Sequence, residues 1–118
     1  MRYMLLIYGD EQAWSDAERA QCYEESAALA REISGSGHYL AAAPLYPVSA
    51  ATSVRVRDRK PLVTDGPFAE TREQLGGYFL VDAANLDDAL GLAARIPAAR
   101  MGTIEVRPLV EAPQPVQV

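Results

Sequence analysis

Residues 3–8, from Tyr3 to Tyr8, are apolar without interruption and end at Gly9-Asp10. The run is too short for a helix and predicts a strand that is greasy on both faces. Ser15-Asp16-Ala17-Glu18 has the spacing of a capping box, and Cys22, Ser26, Leu29 and Ile33 follow at intervals of four, three and four. That pattern predicts an amphipathic helix ending within Ser34-Gly35-Ser36-Gly37. Tyr39 to Ala43 reads as a second strand, closed by Pro44 and Pro47. Thr52, Val54 and Val56 then alternate with Ser53, Arg55 and Arg57, as in a strand with one wet face. Asp58-Arg59-Lys60-Pro61 is a polar turn from which Leu62-Val63-Thr64 returns as the hairpin partner, Pro61 being tolerable only at its first position.

Residues 65–77 break the pattern, and Gly76-Gly77 releases a further apolar strand, Tyr78 to Val81. Asn85 can cap a helix in which Leu86, Ala89, Leu90 and Ala93 fall on one face, with Asp87 and Asp88 favourably placed in its first turn. Pro97 ends it. Thr103 to Leu109 alternates Ile104 and Val106 against Glu105 and Arg107, predicting a closing strand. Residues 1–110 are expected to form one domain, and 111–118, bearing Pro113 and Pro115, a short mobile tail.

The order strand, helix, strand, hairpin, strand, helix, strand is that of two split βαβ halves with an inserted hairpin, a ferredoxin-like α+β plan. Two helices cover one face of such a sheet, yet 3–8 and 78–81 place apolar side chains on the other face too. Leaving that face in water is unfavourable by about 25 cal/mol per Å², so a homodimer packed sheet to sheet is expected.

Composition narrows the chemistry. The 118 residues carry 11 Lys and Arg against 16 Asp and Glu, a formal charge of −5, which disfavours nucleic acid as a partner. Arg55, Arg57, Arg59 and Lys60 form a local basic stripe, but Asp58 interrupts it and no aromatic platform accompanies it, so it reads as a solvated strand face. One cysteine and one histidine leave no intrachain disulfide, no thiolate zinc site and no cofactor requirement to read from the sequence. No signal peptide or membrane span is evident, and the cytoplasm is the expected compartment. Cys22 lies on the apolar stripe of the first helix, as a small hydrophobe would, and His38 stands at a strand entrance, as a loop residue or a base.

Asp65-Gly66-Pro67-Phe68-Ala69-Glu70-Thr71-Arg72-Glu73-Gln74-Leu75-Gly76-Gly77-Tyr78 resembles the signature of the DGPF family within the YCII-related proteins. Met4 to Asp10, Val54 to Asp58 and Thr103 to Pro108 resemble that family's opening strand, hairpin and closing strand. The resemblance implies a dimeric α+β barrel. Family members mostly lack an established reaction and often stand beside or fused to extracytoplasmic-function sigma factors, which implies a regulatory alternative with a protein partner.

Two departures matter. Arg72 stands where the family commonly carries Lys, and a guanidinium does not form an imine. A histidine and an aspartate thought to pair catalytically in the wider group align here with Ser26 and Ile96, so that chemistry does not transfer. On the residues themselves, like-charged carboxylates held close are a common source of a general acid or base. Asp65 is the candidate base and Glu70 its charge partner. The plain alternative has Asp65 capping a turn, with Glu70 and Glu73 opening a short helix beside a solvated Arg72. A ligand site for a small organic molecule is expected from Tyr8, Asp10, Asp65, Glu70, Arg72 and Tyr78, with cofactor-independent proton transfer as its chemistry. No metal site, P-loop, nucleotide fingerprint or Ser-His-Asp arrangement is apparent.

Overall fold

The computed structural model describes residues 1–111. The elements are β1 (Arg2–Gly9), α1 (Asp16–Gly35), β2 (Tyr39–Pro44), β3 (Thr52–Arg57), β4 (Lys60–Asp65), β5 (Gln74–Asp82), α2 (Leu86–Ala94) and β6 (Thr103–Pro108). Four strands form one antiparallel sheet in the order β2-β5-β1-β6, and β3 and β4 form a separate two-stranded ribbon. This is the expected mixed α+β plan, with the hairpin inserted between its halves.

Both helices begin on side-chain caps. Ser15 Oγ accepts the Glu18 N–H while Glu18 Oε1 accepts the Ser15 N–H, completing the capping box. Asn85 Oδ1 accepts the Asp88 N–H at 2.9 Å. The buried stripe of α2 is rotated from the expected one: Ala89, Leu92 and Ala93 are buried, whereas Leu86 and Leu90 are 51% and 47% exposed. The small Ala89 and Ala93 let the helix sit close to the sheet, and Leu92 takes the deep position.

Along β1, Tyr3 and Leu5 are buried under the helices together with Phe79 and Val81 of β5, and Leu29, Ile33, Leu92 and Ile96 close the core from above. Met4, Leu6, Tyr78 and Leu80 alternate onto the opposite face. Among the described residues no helix or strand lies over that face, whose Met4, Leu6, Tyr78 and Leu80 are half-buried; the molecule measures 47 × 43 × 20 Å, and 20 Å is the thickness of one sheet with one layer of helices. β5 is longer than expected. It begins at Gln74 and runs through Gly76-Gly77, because a bulge opposite Ile7/Tyr8 absorbs the extra residue.

The Asp58-Arg59 turn has positive φ at both residues, 50° and 64°, the primed geometry that suits a two-residue hairpin. Pro61 occupies the second position of β4, opposite Val56, where an isolated ribbon tolerates the missing N–H. Residues 70–73 do not form a helix, since the chain from Gly66 runs as bends directly into β5. The tail from 112 onward lies outside the described residues.

Candidate functional site

A cavity of about 370 Å³ opens between α1 and the end of the sheet where β1 leaves and β5 enters. It exists because the facing side chains are small. Ser26, Ala27 and Ala30 of α1 stand over Ala42 and Ala43 of β2 and Gly76-Gly77 of β5, whereas Leu29 and Ile33 fill the corresponding space further along the helix. Six of the nine aromatic residues line it: Tyr8, Trp14, Tyr23, Tyr39, Tyr78 and Phe79. Tyr8 and Tyr78 belong by register to the bare side of the sheet, so they meet the cavity at its strand wall. The other four belong to the helix side and its rim.

The charged residues around the cavity are already engaged. Arg19 Nη2 donates to the Glu11 carbonyl at 2.9 Å, and its Nη1 lies 3.6 Å from Asp16. Glu11 Oε2 accepts the Val48 N–H at 3.0 Å, tying the β2–β3 connection to the start of α1. Asp10 Oδ1 accepts the Gln12 N–H, and its Oδ2 faces Arg72 Nε at 3.7 Å. The Arg72 side chain is 91% exposed, so solvent screens this pair and it contributes little. Cys22 also lines the cavity, and burial pushes its thiol up, with a smaller opposing effect from the Ser26 hydrogen bond. A thiol held in its protonated form is a poor nucleophile.

Of the residues expected at a ligand site, Tyr8, Asp10 and Tyr78 line this cavity, and Arg72 reaches its rim through Asp10. Asp65 and Glu70 are exposed and stand outside the lining. Neither carboxylate forms a hydrogen bond or ion pair among the described residues. Glu73 instead accepts a hydrogen bond from the Thr103 hydroxyl at 3.1 Å, joining the residue before β5 to the start of β6. Ser26, at the position aligned with the family histidine, lines the cavity, and Ile96 is a core residue at 1% exposure. Sequence reasoning missed Trp14, Tyr23, Tyr39 and Arg19. The available signal was the cluster of Ala and Gly at positions that face one another across the layers.

A second polar chain lies elsewhere. Ser36 Oγ is 2.7 Å from His38 Nδ1, and His38 Nε2 is 3.2 Å from Asp88 Oδ2, so a serine, a histidine and an aspartate do stand in a row. The arrangement is structural. Ser36 donates to the Ile33 carbonyl, Asp88 accepts the Ala84 N–H, and none of the three lines the cavity beneath α1. It fastens the end of α1 to the start of α2. Among the described residues, no three His, Cys, Asp or Glu side chains are grouped to hold a metal ion, and no helix is long and apolar enough to cross a membrane.

The sequence profile of the YCII-related domain matches residues 1–113. The chain belongs to the YCII-related family. This YCII-related chain is also similar to an uncharacterised protein of Rhizobium meliloti (strain 1021), 40% identical over 114 residues that cover 92% of each chain.

Proposed function

We propose that this YCII-related chain, of the DGPF type by its Asp65 to Phe68 run, binds a small uncharged organic molecule with a flat, largely apolar body in the cavity beneath α1. The observation that carries the reading is a space of about 370 Å³ with Trp14, Tyr23, Tyr39 and Phe79 on its helix side and rim. Aromatic walls favour a planar apolar body, and phenol and indole groups supply neutral hydrogen bonds for its polar edge. The surrounding charges are already engaged by the chain's own partners, so a charged ligand would have to break those contacts to be neutralised.

The working unit is a homodimer in which a second copy covers the bare sheet face carrying Met4, Leu6, Tyr78 and Leu80, a face that otherwise leaves apolar surface in water.

A thermal-shift screen of uncharged phenols and aromatic ketones, beside matched carboxylates and amines, tests the ligand reading. A neutral compound is expected to raise Tm in a saturable way, and Ala30→Leu, which fills the cavity, to abolish that response while the chain stays folded. A response confined to charged compounds, or one unchanged in Ala30→Leu, would remove the cavity from the role.

A further inference from the structure

The run from Asp65 to Ala69 takes no part in lining the cavity beneath α1, yet it is held in a defined shape. Its turn is closed by the Gly66 N–H to the Ala51 carbonyl at 2.8 Å and the Ser53 hydroxyl to the Gly66 carbonyl at 2.7 Å. At φ 100°, position 66 is one that glycine alone adopts readily. The turn sorts the residues around it. Pro67, Phe68 and Ala69 line a second hollow of about 570 Å³ at the base of the β3–β4 ribbon, whereas the carboxylates on either side of them, Asp65 and Glu70, stand outside its lining.

Three properties of this hollow bear on what fills it. No Asp, Glu, Lys, Arg or His lines it, in a chain of which 23% of residues are charged and whose neighbouring cavity meets Asp10, Glu11 and Arg19. It also gathers large hydrophobic side chains that stand in water: Tyr46 and Phe68 are 87% and 80% exposed, and Leu45 and Leu75 are exposed beside them. Apolar groups collected around one neutral depression are the mark of a binding surface. Finally, the hollow is continuous with the cavity beneath α1, because Tyr8, Leu45, Pro47 and Gln74 line both. The joint between the two spaces is therefore uncharged as well. Its polar groups are the Tyr8 hydroxyl and the Gln74 amide, whose nitrogen already donates to the Thr71 carbonyl.

Continuity names the occupant. A molecule seated beneath α1 and longer than that space can pass Tyr8 and Gln74, and it then meets only uncharged walls. We infer that the ligand has two parts, a flat head beneath α1 and an apolar arm lying in the second hollow against Tyr46, Pro67, Phe68 and Leu75, joined by a short neutral link at Tyr8 and Gln74. Both of these side chains can hydrogen-bond a neutral polar group. The inference rests on the ligand reading above and adds to it the length and division of the ligand. It also gives the Asp65 to Ala69 run its work, which is to hold Pro67 and Phe68 against the arm.

Alkyl phenones test the proposal, since acetophenone is a head with its link, and butyrophenone and hexanophenone lengthen only the arm. Each is titrated by NMR into isotopically labelled wild type, Phe68→Asp, Tyr46→Asp and Ala30→Leu. Phe68 and Tyr46 are exposed and do not line the cavity beneath α1, so the two arm variants should keep the wild-type amide spectrum elsewhere. In wild type each added methylene is expected to tighten binding about twofold to fourfold, the upper figure being that of a fully buried methylene. Acetophenone should shift amides around Ser26 to Ala30, and hexanophenone should shift those of Ala51, Phe68 and Ala69 in addition. Phe68→Asp and Tyr46→Asp should act on hexanophenone and not on acetophenone, cutting the gain between the two roughly fivefold or more. Equal affinity along the series, as when a second copy of the chain already covers the hollow, overturns the two-part ligand and leaves the ligand reading standing. A gain that persists in both arm variants, or whose shifts fall away from the hollow, does the same. A series that binds wild type and Ala30→Leu alike, or none of whose members binds, overturns the ligand reading and this inference with it.

Discussion

Gly102 shows how tightly single positions are specified. A β-carbon there would lie 2.1 Å from the Tyr8 carbonyl oxygen, which is backbone and cannot rotate away, whereas one at Gly91 on α2 meets nothing within 4 Å. Gly102→Ala is therefore expected to destabilise by about 2 kcal/mol or more, lowering Tm by roughly 10 °C. Gly91→Ala should be neutral or stabilising by up to about 1 kcal/mol. Thermal melts of the two variants side by side check the contrast. At this scale the sequence discloses a candidate site only in part. Tyr8 and Asp10 are readable because they end a central strand, where open sheets meet ligands. Trp14, Tyr23 and Tyr39 carry no such mark: one precedes a helix, one lies within it and one opens a strand, and tertiary packing alone brings them to one cavity.

Helix starts are the most legible elements, because a cap is a local bargain between side chain and backbone three residues apart. The same contacts couple the helices to pH. The backbone N–H of Ser15 holds the Glu18 carboxyl below its ordinary value, and the Ala84 N–H does the same for Asp88, with a further contribution from the His38 charge. A carboxyl whose folded pKa is depressed stabilises the fold above its unfolded value and ceases to do so as pH falls through the folded one. Stability should thus be level above pH ~4.5 and fall progressively below pH ~4. Glu18→Gln, which can still accept the Ser15 N–H but cannot titrate there, should fall less steeply, as urea titrations across that range would show. Other elements are less legible. The stripe of α2 turns away from Leu86 and Leu90 because the sheet accepts alanine where the periodicity offers leucine. β5 continues through Gly76-Gly77 because a bulge, invisible in one strand's sequence, absorbs the additional residue.

At the scale of the whole molecule, the unbroken apolar runs of β1 and β5 are enough to show that both sides of the sheet are apolar, and the order of elements is enough to give the mixed α+β plan. The direction taken by the inserted hairpin is not in the pattern. Alternating residues 52–56 are equally compatible with a strand added to the main sheet and with one that leaves it, and only the pairing decides. Leaving the sheet turns a routine insertion into a basic, apolar extension of an acidic body.

The sheet is a single layer, and the cavity on its helix side and the opposite face share its backbone as a common wall. In the proposed ligand-binding dimer, occupancy of the cavity and pairing of the copies form a thermodynamic cycle, in which any factor by which a guest tightens pairing must equal the factor by which pairing tightens the guest. Titrations repeated at several protein concentrations should therefore give apparent affinities that drift together with the degree of assembly, and a single concentration-independent isotherm would mean that the two sides do not sense each other.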